Sequence, residues 1–261
     1  MRIAILLKQV PDTDEVKLDE EKGTMIREGI GTVINPLDLH AVEEGRKFIE
    51  EEGGELVVIS MGPPQTEESL REALAMGANK AVLITDRKFG GADTWATARV
   101  LSEVVKLKGP FDLILAGEKA TDGETGQVGP EVAAFLDIPF STYISEIQKK
   151  PNGVIIKRTV EDGYETQFLP FPCLLTVLNN LNQPQMPTLS GKIKGHDAEL
   201  EIVTANDIKI PEEELGLTGS PTRVSKVFYP KIRRKCQVYS LSNIKDGIDS
   251  IVRELKSRSI I

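Results

Sequence analysis

The sequence predicts an α/β protein: a parallel sheet with helices on both faces, then a β-hairpin and an extended C-terminal arm. Two observations carry this expectation. Runs apolar at nearly every position, RIAILLK, ELVVISM, KAVLIT and FDLILAG, alternate with helical patterns over the first 140 residues. Strands without polar alternation are those covered on both faces, as in parallel sheets. After residue 140 the pattern changes, and GVIIKRTVEDGYETQFLPF reads as a hairpin turning near Asp162-Gly163, with CLLTVL as a further strand.

The helices carry their own start and stop signals. Asn35 before Pro36 reads as an N-cap and an N1 proline, with Asp38 complementing the dipole; Ala41, Val42, Gly45, Phe48 and Ile49 form the inward stripe, and Gly53-Gly54 ends it. Thr66 caps EESLREALAM, which closes at Gly77, and Asp93 caps TWATARVLSEVVKLK, which closes at Gly109. NNLNQPQMPTLSGKIKGHDAELE reads as one polar loop, and loops of that length are usually functional or disordered. From about 205 to 240 no period emerges, so an arm is expected. KIRRK at 231–235 lies in it, and Ser242 to Arg258 then has helical spacing. The expected organisation is a nucleotide-binding domain over 1–204, including a loop at about 183–195, and a C-terminal arm and helix over 205–261.

Composition narrows the partners. The formal charge of −8 argues against duplex nucleic acid and anionic bilayers, which reward clustered Lys and Arg. Cys173 and Cys236 stand far apart, supporting neither a disulfide framework nor a thiolate zinc site. No apolar stretch reaches the roughly 18 residues of a membrane span, and the N-terminus does not read as a signal peptide, so a cytoplasmic protein is expected.

Neither GxGxxG after the first strand nor GxxxxGK[ST] is present, and His40 and His196 lack ligand spacing. What remains is a site built from helix starts, where unpaired N–H groups and the positive dipole end meet phosphate outside the carboxyl ends of the strands. Three segments qualify: Asn35 to Asp38, Asp93 to Thr97, and Gly117 to Val128. Thr94 and Thr97 lie three apart, so both hydroxyls can face one oxygen-rich group, and Gly123 and Gly126 permit close backbone approach. Asp122 and Glu124 would repel phosphate; at a real site these acids cap the helix or bind ribose hydroxyls. TDGETG is equally readable as a capped turn.

At these residues the chain resembles the beta subunit of electron transfer flavoproteins. LLKQVPD, INPLDLHAVEEG at 34–45, VISMGPP at 58–64, EALAMGANKAVLITD at 72–86, GADTWATA at 91–98 and the loop opening at Gly117 follow that family's landmarks in order over nearly the whole length. The resemblance implies an adenine-nucleotide-binding, Rossmann-like fold and a heterodimer with an alpha subunit. It implies electron transfer, with no acid/base catalyst in this chain. Carried over by position, the nucleotide pocket falls on Leu6, Asn35, Pro36, Leu37, Asp38, Val58 and Gly117, Glu118, Lys119, Ala120, Thr121, Asp122, Gly123, Glu124 and Thr125, with Gln127 and Val128 beside it. Ordinary members hold AMP here. A second group holds FAD and bifurcates electrons from NADH to a high-potential acceptor and to ferredoxin or flavodoxin. ADTWATA, with Thr94 and Thr97, and the short TDGETGQVGP resemble that group. The family's recognition loop matches PQMPTLSGKIKG, which makes Leu189 the anchor on a partner dehydrogenase or quinone-linked flavoprotein; Gln185 stands where an Arg is common. The arm would wrap the alpha subunit. An adenine-nucleotide-binding regulatory module is the rival from another class.

Overall fold

The computed structural model describes residues 1–12, 17–19, 24–26, 31–225 and 236–261; KIRRK at 231–235 lies outside them. The first half runs β1 (Arg2–Leu6), β2 (Gln9–Pro11), β3 (Lys17–Asp19), β4 (Thr24–Ile26), β5 (Thr32–Ile34), α1 (Pro36–Glu52), β6 (Glu55–Met61), α2 (Glu67–Ala75), β7 (Lys80–Ile84), α3 (Thr94–Lys108) and β8 (Leu113–Gly117). The second half runs α4 (Val128–Leu136), β9 (Phe140–Lys150), β10 (Gly153–Val160), β11 (Gly163–Pro170), β12 (Cys173–Val177), α5 (Leu189–Asp197), β13 (Glu201–Val203) and α6 (Ile244–Ser257).

Nine strands form one sheet in the order β11-β10-β9-β12-β8-β1-β6-β7-β13. From β9 to β13 every neighbouring pair is parallel, and β10 and β11 extend the sheet antiparallel as the expected hairpin. Val160 pairs with Gly163, so the tip is Glu161-Asp162. The apolar runs are buried because helices cover both faces. One cluster joins Ile3, Ile5 and Val58 to Val42 and Phe48 of α1 and Leu70 of α2; the other joins Ala4, Val57 and Ile114 to Val100 and Val104 of α3 and Val132 of α4.

The stops hold as expected. Gly53, at φ 69°, closes α1 with its N–H on Ile49 O, and Asp93 caps α3 by accepting from Ala96 N. Thr66 and Asn35 occupy N-cap positions without a side-chain cap bond, because each side chain is engaged elsewhere. Thr66 Oγ1 donates to Gln9 Oε1 at 3.4 Å. The sequence reading missed the short strands β2 to β5 as well as β9, β13 and α5; the polar stretch after β12 is not one loop. Ile208, Ile210 and Leu215 are buried against the α3 face, so the start of the unperiodic segment packs on its own domain. No helix among the described residues is long and apolar enough to cross a membrane.

Candidate functional site

The order of strands fixes where a ligand can sit. From β1 the chain moves one way to β6 and β7, whereas β8, on the other side of β1, leads to β12 and β9. The crevice at the carboxyl ends of β1 and β8 is therefore the point where the connections diverge, the place where open α/β sheets bind ligands.

Asp38, in the first turn of α1, spans this crevice. Its Oδ2 accepts from Lys8 N just past β1 at 2.8 Å, and its Oδ1 from Gly117 N at the end of β8 at 2.9 Å. Burial pushes its carboxyl up to about 6, against the lowering pull of those two amides. A Cβ on Gly117 would fall 2.5 Å from Asp38 Oδ1 and 2.8 Å from Leu37 C, so the third residue of this contact has to be glycine. Asn35 does not cap α1 with its side chain. Its Nδ2 donates to Lys119 O at 3.0 Å and its Oδ1 accepts from Thr121 N at 3.2 Å, fastening the β8–α4 loop to the start of α1.

Asp122 and Glu124 of that loop do not cap a helix; each pairs with a lysine. Lys8 Nζ meets both carboxylate oxygens of Asp122 at 2.7 Å, and Lys119 pairs with Glu124 at 3.5 Å. The α4 N-cap is Gln127, without a side-chain cap bond. These ion pairs moderate the repulsion that the bare sequence implied. Glu124 takes φ 51° and Gly126 φ 63°, which turn the chain into α4. Gly123 stands in open space rather than at a close contact. Thr121, Asp122, Gly123, Glu124 and Thr125 are exposed on the rim, with Glu118, Lys119 and Ala120 half-buried beneath.

From the opposite face of the sheet, α3 and α4 bring their starts to the same rim. Thr94 Oγ1 lies 3.1 Å from Glu131 Oε1 and 3.3 Å from Gln127 Oε1. Burial raises the Glu131 carboxyl, with the Thr94 hydroxyl opposing. Its Oε2 is buried and has no partner among the described residues. Thr97 lies half-buried a turn further on. Asp93 is fully used within the protein: besides capping Ala96, its Oδ2 accepts from Thr222 N at 2.9 Å and Thr222 Oγ1 at 2.7 Å. Although burial pushes the other way, these donors hold its carboxyl below the usual range.

Asn35, Leu37, Asp38, Gly117 to Thr125, Gln127, Val128 and Thr94 thus belong to one rim. Leu6 is buried at the end of β1, and Val58 lies wholly inside the sheet, with a side chain in the core rather than on the rim. Leu189 is remote from this rim, 77% exposed at the first position of α5 on α2. Lys8 and Thr222 went unseen in the sequence; Lys8 could have been found as the first cation after the first strand. Glu131 was visible only as one more acid.

The donor set suits a phosphorylated polyol. Exposed threonine hydroxyls at Thr121 and Thr125 serve phosphate, and the buried, unpaired Glu131 Oε2 serves a hydroxyl. Fold and rim together define a class, an α/β protein with a ligand crevice between diverging strands. Its family follows from comparison. The family described as electron transfer flavoprotein domain matches residues 22–207. An electron transfer flavoprotein subunit beta from Thermoanaerobacterium thermosaccharolyticum is 45% identical over the full length of both chains. The caffeyl-CoA reductase-Etf complex subunit CarD of Acetobacterium woodii is 42% identical, again over the full length of both, and protein FixA of Sinorhizobium fredii is 36% identical over 98% of this chain and 92% of its own. The chain belongs to the electron transfer flavoprotein family, as a beta subunit that works in electron transfer beside an alpha subunit.

Proposed function

We propose that this chain binds FAD across the β1/β8 crevice and the starts of α3 and α4, and that with its alpha subunit it bifurcates electrons from NADH. One branch leads to a high-potential acceptor, the other to ferredoxin or flavodoxin. The observation that carries the reading is the extent of the rim. The crevice bounded by Asp38 and Gly117 to Thr125 suits an adenosine phosphate. Thr94 and the unpaired Glu131 Oε2 lie beyond it, where AMP alone would leave them unused and a longer, hydroxylated chain would not.

Bound flavin supplies the redox chemistry. The chain's own part is to hold it: the loop amides of Asp122, Gly123 and Thr125 take the phosphates, those of Gly117, Glu118, Thr121 and Glu124 being used within the protein, while Lys8 and Lys119 offset the loop acids and Glu131 and Thr94 take hydroxyls. The relatives' names support the partner class. One belongs to a caffeyl-CoA reductase complex, and another, from Anaerotignum propionicum and 36% identical, is an acryloyl-CoA reductase electron transfer subunit. Both names favour an acyl-CoA dehydrogenase as the partner, and Leu189 is the residue on which it docks; a quinone-linked flavoprotein is the other acceptor of this reading. Of the segment 205–261, the start packs on this chain's own α3 face, and residues 236–261 serve as the arm toward the alpha subunit. Ile244, Ile248 and Ile251 of α6 are each more than half exposed, an apolar face awaiting cover. The compartment is the cytoplasm, consistent with two free cysteines.

The test is a coupled assay with the purified heterodimer, NADH, ferredoxin, an acyl-CoA dehydrogenase and an α,β-unsaturated acyl-CoA. Ferredoxin reduction that requires the acyl-CoA, with electrons divided equally between the two products, supports bifurcation. Acyl-CoA reduction without ferredoxin reduction identifies a non-bifurcating, AMP-holding shuttle instead. A chain that purifies without flavin or alpha subunit would be a regulatory nucleotide-binding module.

A further inference from the structure

Helix α5 lies against α2 through glycines. A Cβ on Gly191 would fall 2.3 Å from Ala75 O, and one on Gly195 2.5 Å from Arg71 O. Both obstacles are backbone, so no rotamer change relieves them. Arg71 closes the far end of α5: its Nη1 donates to Gly195 O at 3.0 Å, to Ala198 O at 3.2 Å and to His196 O. Thr188 closes the near end, its Oγ1 accepting from Gly191 N at 3.0 Å. Upstream, Asn182 donates to His40 O at 3.0 Å and to Glu44 Oε2 at 2.9 Å, tying the incoming segment to α1. The element is therefore fixed at both ends before any partner arrives.

At about 100° per residue, Leu189 and Ile193 fall on the side of α5 opposite Gly191 and Gly195. They are 77% and 57% exposed, one turn apart. Lys192 and Lys194 flank them, a basic collar on a chain whose formal charge is −8.

Resting on the reading that Leu189 docks on a flavoprotein dehydrogenase, we infer that Ile193 is a second anchor on the same face, and that Gly191 and Gly195 set the pose of both. The occupant is a dehydrogenase pocket with apolar walls and a carboxylate rim to meet the collar. Preorganisation gives the glycines their function: anchors held in place lose little freedom on binding. Gly195 is a positioning residue, acting through the two anchors without touching the partner.

The experiment uses the purified heterodimer titrated with a purified acyl-CoA dehydrogenase, following electron exchange at saturating acyl-CoA, with variants Leu189→Ala, Ile193→Ala, Ile193→Leu and Gly195→Ala. Bound nucleotide and heterodimer elution are checked for each. Ile193→Ala raises KM for the dehydrogenase about tenfold with kcat retained, Ile193→Leu restores it, and Gly195→Ala raises KM although both anchors remain. If Leu189→Ala raises KM and Ile193→Ala does not, the second anchor is refuted. If Gly195→Ala folds, retains nucleotide and leaves KM unchanged, the positioning role is refuted; should it fail to fold, Ile193→Ala still decides the anchor. Should Leu189→Ala itself leave KM unchanged, the docking reading fails first. Loss of the alpha subunit on Ile193→Ala assigns the face to that subunit and overturns the inference.

Discussion

Gly117→Ala asks the most of the crevice with the least chemistry. The added methyl would lie 2.5 Å from Asp38 Oδ1, 2.7 Å from Leu37 Cβ and 2.8 Å from Leu37 C. Carbon contacts are comfortable only at about 3.5 Å and beyond, so something has to retreat by most of an ångström. The Leu37 backbone is the first turn of α1, packed on the sheet. The Asp38 carboxylate is the softer obstacle, and its retreat would stretch the 2.9 Å bond from Gly117 N past useful length. Overpacking costs about 1–3 kcal/mol, and an unmet buried partner about 1–3 kcal/mol more. At roughly 2–4 °C per kcal/mol for a chain of this size, the melting temperature of the heterodimer falls by about 4–24 °C. Because the same shift displaces the loop amides, nucleotide retention falls with it. Calorimetry or circular dichroism reads the first effect, and nucleotide released per heterodimer the second. A variant that melts within about 1 °C of the parent and keeps its nucleotide would refute the reasoning.

Other consequences follow from the same contacts. Asp38 is pushed up to about 6 by burial, whereas an unfolded Asp titrates near ~3.9; the native carboxyl thus binds its proton more tightly. Its contribution to stability is complete below about pH 4 and lost as pH rises through about 6, a change on the order of 3 kcal/mol, and urea midpoints for the parent and Asp38→Asn across that window should diverge accordingly. Asp93→Ala removes the α3 cap and both Thr222 bonds, lowering stability by about 1–2 kcal/mol; tryptic cleavage after exposed Arg223 should quicken, and an unchanged cleavage rate would count against the tie. Ile248→Glu on α6 changes an exposed position, so the isolated chain should melt within about 0.5 kcal/mol of the parent while co-elution with the alpha subunit is lost; retained co-elution contradicts the arm's role.

The residues that made the fold readable are those whose local chemistry matches their final surroundings. Unbroken apolar runs became sheet interior, and Asp93 capped α3 as its type and place implied. Elements whose stability comes from other parts of the chain escaped. β9, paired between β12 and β10, runs out into a half-polar stretch, ISEIQKK, and resembles neither a buried strand nor a helix. α5 contacts α2 through glycines, which leave no apolar stripe, so its polar sequence reads as loop. The rim shows the same division. Asn35 and Asp38 stood out as helix-start residues, but their actual tasks, clamping the β8–α4 loop and bridging Lys8 to Gly117, depend on strands far apart in sequence. The ion pairs of Asp122 and Glu124 likewise required the fold before their charge could be judged.

The central claim, that the rim holds a flavin nucleotide rather than a mononucleotide, is tested most directly by releasing the nucleotides of the purified heterodimer with acid and counting them by chromatography. Two FAD per heterodimer with no AMP is the predicted result. One FAD with one AMP would contradict it.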